Sequence, residues 1–230
     1  MGTPRVASSI PSLESGDHLD QATFHERYTA MPPGFRAELI GGIVIVSSPL
    51  RPEHGEYHAL IMGWLTSYWG ATPGTRARDN ATAILGEQSE PQPDAVLIIE
   101  PACGGQTGFS TDGYATGPPE LIVEVASSSE SIDLNAKRRD YEQAGVLEYV
   151  VIVIRQQLIR SFRLQEGQYH EVAAGADGMF KSAVFPGLWL DVEALLQLDV
   201  SKVLEALRMG LLTQEHEAFV RQLQARRNVS

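Results

Sequence analysis

The chain has 230 residues, 43% hydrophobic and 20% charged, which suits one globular domain with some additions and a sizeable core. Its formal net charge of −11 argues against a broad basic face for polyanions and leaves room only for a local cationic cluster against phosphate. The single cysteine, Cys103, excludes an internal disulfide and a thiolate metal site, so any metal is held by oxygen or imidazole, which favours magnesium or manganese.

Residues 1–20 carry Gly, Pro and Ser without periodicity and read as a mobile N-terminal arm. "ATFHERYTAM" (22–31) reads as a short helix stopped by Pro32, Pro33 and Gly34. Two apolar runs around Gly41-Gly42, over 37–48, give a hairpin signal. Tyr57, Ile61, Trp64, Leu65 and Tyr68 recur at helical spacing, with Gly70 as the expected stop. "TRARDNATAIL" (75–85) reads as one or two strands, and "PQPDAVLIIE" (91–100) as a strand reached through two prolines. Residues 101–119, rich in Gly, Thr and Pro, read as a long loop.

A strand over 121–126, a helix over 133–144 closed by Gly145, and a buried strand over 147–154 follow as a compact crossover, right-handed if the strands pair in parallel. A hairpin around Glu166-Gly167 and, from Pro186, short helices with a polar C-terminal helix complete the chain. The order predicts an α/β fold, a mixed β-sheet flanked by helices with antiparallel hairpin additions. The longest apolar runs, such as "YVVIVI" (149–154), are too short to span a bilayer, and no basic segment leads into an apolar one at the start. Both features predict a cytoplasmic protein with no membrane partner.

Three charged residues stand where apolar ones belong. Glu124 lies between Val123 and Val125 in the strand, sharing one face with Ile122 and Ala126. A buried carboxylate is paired, protonated or bound to a metal, so Glu124 reads either as a structural ion pair or as a ligand. Lys137 sits in the stripe Leu134, Lys137, Tyr141, Ala144 that should pack on the sheet. It either snorkels to the rim or reaches Glu124. Asp94 opens its strand after Pro93, which is turn chemistry on its own. Together, two carboxylates on neighbouring strands with a lysine on the next helix suit octahedral magnesium, which lowers the pKa of bound water and offsets charge on phosphate. The lysine would orient that water or offset the same charge.

These three residues carry a resemblance to the PD-(D/E)XK nuclease superfamily, and the chain is more closely similar to the Uma family of restriction endonucleases. The matching text is "AELIGG" (37–42), "PQPDAVLI" (91–98), "PELIVEVASSSESIDLNAKRRDYEQAGVLEYVVI" (119–152) and "FPGLWLDV" (185–192). The resemblance implies a restriction-endonuclease-like domain over 21–195, with residues 196–230 as a C-terminal helical extension. It implies metal binding by Asp94 and Glu124 and a magnesium or manganese cofactor. The superfamily's usual lysine two residues after the glutamate is replaced by Ala126, and the family pattern supplies it from the next helix as Lys137. Tyr141 matches the same helix, and Glu38 and His54 match earlier polar positions that either complete the site or are surface groups. "SSS" stands where the family often has Ser-Pro-Ser, and "ELIGG" where Asp-Gly is common; neither departure removes a proposed catalytic group.

Two functions of different classes follow. The first is a magnesium-dependent endonuclease that hydrolyses DNA phosphodiester bonds, with DNA as partner and a homodimer as assembly. The second is a catalytically idle nuclease fold that serves as a binding or assembly module, which the acidity favours. Arg76, Arg78, Arg138, Arg139, Arg155 and Arg160 are the cationic candidates and are too scattered in sequence to define a groove.

Overall fold

The computed structural model describes residues 10–47 and 51–228. In chain order, helix α1 (Gln21–Thr29) precedes the hairpin of β1 (Ala37–Ile40) and β2 (Ile43–Val46), and then the long helix α2 (Pro52–Ala71). Strands β3 (Thr75–Asp79), β4 (Ala83–Ile84) and β5 (Ala95–Ile99) lead to the short β6 (Gly108–Phe109) and β7 (Ala115–Thr116). Strand β8 (Leu121–Ala126) is followed by a wide π-helical turn (Ile132–Lys137), helix α3 (Arg138–Ala144) and β9 (Glu148–Val153). Strands β10 (Leu158–Gln165), β11 (Gln168–Glu171), β12 (Met179–Lys181) and β13 (Trp189–Asp191) precede helices α4 (Val192–Leu196), α5 (Val200–Leu211) and α6 (Gln214–Arg227).

Six strands form the central sheet in the order β11-β10-β9-β8-β5-β3. Only β8 and β9 pair in parallel there; the β10–β11 hairpin at one end and the β3–β5 pair at the other are antiparallel. The type of turn is legible in the backbone. Gly41 and Gly42 both take positive φ, 57° and 76°, which a two-residue hairpin demands and glycine adopts without strain.

Strand alternation splits the core in two. Residues such as Leu97, Val123, Val125 and Ile152 face α2, where Tyr57, Ile61, Trp64 and Leu65 are buried against them. Val203, Leu207 and Leu223 from α5 and α6 belong to this same cluster. The opposite face presents Val96, Ile98, Ile122 and Val151 to Tyr141 of α3. Glu124 lies on this second face, between Ile122 and Ala126.

Several local expectations shift. Helix α2 runs through Gly70 to Ala71, because Trp64, Leu65 and Tyr68 anchor its last turns in the core. The stretch 101–119 holds a 3₁₀ turn (Pro101–Cys103) and β6 and β7, which pair with each other and, through β7, with β4. Of the segment read as an arm, residues 1–9 lie outside the described residues, as does Ser48 at the end of the segment read as the first hairpin. Leu13 is buried with Phe24, Leu39 and Val44, and the Gly16 N–H donates to the Val44 carbonyl at 2.9 Å.

A candidate active site between α2, α3 and the sheet

The register puts two carboxylates face to face. Ala95 pairs with Val123 in the antiparallel β5–β8 ladder, so the next position outward sets Asp94 opposite Glu124. The contacts agree: the Asp94 N–H donates to Glu124 Oε2 at 3.3 Å, and the Val125 N–H donates to Asp94 Oδ2 at 2.7 Å. The side chain of Asp94 is 14% exposed and Glu124 is 3% exposed.

Lys137 does not snorkel. Its side chain is 6% exposed, and Nζ lies 2.9 Å from Glu124 Oε1, 2.9 Å from Glu38 Oε1 and 3.8 Å from Asp133 Oδ1. The Tyr141 hydroxyl donates to the same Glu124 oxygen at 2.7 Å. Glu38, at the hairpin strand β1, also accepts the Gln92 N–H at 2.7 Å, which fastens the segment before Asp94 to the cluster. The wide turn contributes to this convergence. In a regular α-helix, residues four apart drift by about 40° around the axis. The π-helical turn lets Asp133, Lys137 and Tyr141 all stay buried on the sheet side.

Helix α2 closes the other side. His54, 5% exposed in its first turn, places Nε2 at 3.3 Å from Asp94 Oδ2. One turn later, His58 Nε2 lies 2.9 Å from the Asp94 carbonyl and 3.0 Å from Asp79 Oδ1.

The structure thus brings Glu38, His54, Asp94, Glu124, Lys137 and Tyr141 together, with Asp133 as an acid that the stripe beginning at Leu134 passes over. The signal was its spacing, four residues before Lys137 on one helical face. Asp133 is held by the Ser129 hydroxyl at 2.6 Å, and its carbonyl accepts the Tyr149 hydroxyl at 3.0 Å. The arginines are engaged elsewhere, and Arg138 and Arg160 share the Phe162 ring. Arg76 pairs with Glu100 at 2.7 Å, Arg160 pairs with Glu171, and Arg138 lies over the Phe162 ring.

Four carboxylates, Glu38, Asp94, Glu124 and Asp133, therefore surround one ammonium and one imidazole. Burial pushes the Glu124 carboxyl well above its usual range, against the pull of Lys137, while Asp94, Asp133 and Glu38 push it further. Burial also lifts Asp133, to about 6, with Lys137 and the Ser129 hydroxyl opposing. Lys137 loses some proton affinity to burial, but Glu124, Glu38 and Asp133 more than restore it, so the ammonium persists. Burial raises Asp94 too, yet the His54 ring, the Val125 N–H and Lys137 hold it below its usual range. His54 is raised by its bond to Asp94, against burial. The cluster carries more acid than base, and the raised pKa of Glu124 is where the excess shows.

That excess is what a hard cation relieves. Among the described residues no group of three or more His, Cys, Asp or Glu side chains forms a ready metal cage. The donor set, two facing carboxylates beside a buried excess of acid, fits a cation that keeps several of its waters, as magnesium does.

A mixed sheet flanked by helices, with this polar cluster at the open end of the β5–β8 pair, defines a nuclease-like α/β fold. The chain matches the family described as "Uma2: Putative restriction endonuclease" over residues 22–193, and it belongs to that family. Its fold is similar to a crystal structure titled as a putative nuclease belonging to DUF820 from Anabaena variabilis ATCC 29413. That likeness has a TM-score of 0.58 and 16% identity, and covers 74% of this chain and 97% of the other. No curated protein matches the chain. Among the described residues, no helix is long and apolar enough to cross a membrane.

Proposed function

We propose that the protein is a magnesium-dependent endodeoxyribonuclease, with Asp94 and Glu124 as metal ligands and Lys137 as the charged catalytic group. Manganese is the natural substitute. Membership of a restriction-endonuclease family supports a hydrolase acting on nucleic acid, and such families use divalent metals. The observation that carries the reading is the buried acid excess: four carboxylates, Glu38, Asp94, Glu124 and Asp133, close on the Lys137 ammonium and the His54 ring.

When bound, the cation supplies Lewis acidity at the phosphodiester and its attacking water. The chain does the rest. Asp94 and Glu124 fix the position of the cation from two adjacent strands. The Lys137 ammonium offsets negative charge that builds on the phosphate oxygens as water attacks phosphorus. The new P–O bond forms as the old one to the leaving sugar oxygen breaks, giving a phosphomonoester and a hydroxyl, with the water's second proton released to solvent. Tyr141 holds Glu124 Oε1 in place through its 2.7 Å bond.

Cleavage of both strands of a duplex is met by two such sites about a two-fold axis, so the active form is a homodimer. A monomer by light scattering at high micromolar concentration removes the dimer. Supercoiled plasmid incubated with magnesium, manganese or chelator tests the activity: nicking or linearisation is expected with either metal and none with chelator. A second reading, an idle nuclease fold that binds or assembles, is favoured by the net charge of −11 and by the engagement of Arg76 and Arg160 with carboxylates. It is the conclusion if plasmid stays intact in both metals.

A further inference from the structure

Resting on the metal-site reading above, we infer that His54 is a positioning residue, whose ring fixes the Asp94 carboxylate so that one oxygen is committed to the protein and the other serves the cation. Among the described residues, the two partners of the Asp94 side chain both meet Oδ2: the Val125 N–H donates to it at 2.7 Å, and His54 Nε2 lies 3.3 Å away. Neither bond involves Oδ1. The carboxylate plane is thereby set from two directions, by a neighbouring strand and by the first turn of α2.

The second nitrogen of the ring gives the stronger argument. His54 Nδ1 is buried and has no hydrogen-bond partner among the described residues. A buried polar atom left unpaired costs about 1–3 kcal/mol. An apolar side chain at this place on α2 avoids that cost. Stability alone does not call for a histidine at position 54. What the imidazole alone supplies is a donor at the end of a rigid ring, aimed at Asp94 Oδ2 and at the strand backbone at Val125.

The same helix holds the main chain of that residue. His58 sits one turn along α2, and its Nε2 lies 2.9 Å from the Asp94 carbonyl oxygen. Two histidines four positions apart therefore fix the carboxylate and the peptide of one aspartate, and Pro52 at the start of α2 fixes where the helix begins. Partners that orient a ligand from behind are worth 10–100-fold in metal affinity in characterised sites.

The test uses the full chain and manganese, without DNA. Mn2+ binding is measured by the loss of the free-ion paramagnetic resonance signal, for wild type, Asp94→Asn, His54→Leu and His54→Gln. Thermal unfolding in chelator is measured for the same four proteins. His54→Leu, which keeps the apolar packing and removes the donor, should weaken Mn2+ binding by about 10–100-fold. Its unfolding temperature should be unchanged or raised. His54→Gln, which keeps an N–H donor at similar reach, should recover part of the affinity.

Mn2+ affinity in His54→Leu within twofold of wild type overturns the role of His54 while the metal site stands. So does a His54→Leu protein that fails to fold when His54→Gln folds, because the ring is then a structural element. If Asp94→Asn binds Mn2+ as wild type does, the metal-site reading falls and the role of His54 falls with it.

Discussion

Replacing Lys137 by methionine separates the two roles a buried lysine can have. At an effective dielectric constant near 20, each of its 2.9 Å contacts, with Glu124 and Glu38, is worth about 6 kcal/mol of Coulomb attraction. Most of that is cancelled by desolvation and by repulsion between the acids. Removing one partner of such a buried pair still costs about 3–5 kcal/mol, because the uncompensated charges remain. Methionine fits the apolar stripe of α3, so the loss is electrostatic and not one of volume. Urea unfolding in chelator should show Lys137→Met less stable than wild type by about 3–5 kcal/mol. The double variant Lys137→Met/Glu38→Gln should regain part of the loss, since one of the stranded carboxylates is gone, while Glu38→Gln in wild type should do less. Stability of Lys137→Met within about 0.5 kcal/mol of wild type, the range of ordinary surface substitutions, refutes the reasoning.

In the plasmid assay with magnesium, Lys137→Met should lower turnover by about 10²–10³-fold while Mn2+ affinity holds, because an ammonium is not a ligand. Glu124→Gln should lose Mn2+ binding and cleavage together, and unchanged Mn2+ binding would remove Glu124 from the ligand set. Tyr141→Phe removes the 2.7 Å hydroxyl bond to Glu124 and should cost about 1.5–3 kcal/mol in urea unfolding, since its acceptor is a buried acid. Away from the site, burial holds His216 below its usual pKa, against the bond to the Leu211 carbonyl. Between the folded pKa and the unfolded value of about 6.5, the unfolded chain binds the extra proton, so stability is full above that value and falls as pH drops. The difference in stability between wild type and His216→Gln should therefore shrink from pH 7.5 to pH 5.5, and a constant difference counts against the assignment.

Local chemistry made much of the fold legible. The glycine pair at 41–42 and the Glu166-Gly167 turn, both with positive φ, mark hairpins that depend only on neighbouring residues. Parity along β8 was enough to place Glu124 on the face opposite Val123 and Val125. Gly70 misleads as a stop because anchoring of Tyr68 in the core outweighs the weak helix preference of one glycine. Asp133 goes unread for a different reason. A straight helix over 133–144, read from the stripe that begins at Leu134, gives no sign of a wide turn, and the Asp133 carbonyl in that turn accepts the Tyr149 hydroxyl of β9. The Asp94 bond of His54 spans parts of the chain that only the folded sheet brings together.

The parallel pairing of β8 with β9 has a consequence for the order in which the site assembles. Because the crossover returns at once to the neighbouring strand, Lys137 and Tyr141 meet Glu124 across separations of only 13 and 17 residues. Asp94 is 30 residues from Glu124, and the bond from Glu38 to the Gln92 N–H spans 54. Loop closure grows more costly with length, so the lysine–glutamate pair closes early, within one strand–helix–strand unit. The β1 strand carrying Glu38 arrives later. Weakening the Lys137 pairing should therefore slow refolding in stopped-flow measurements, whereas loss of Glu38 should mainly quicken unfolding. The charged centre of the molecule should then behave, in kinetic terms, as part of its nucleus.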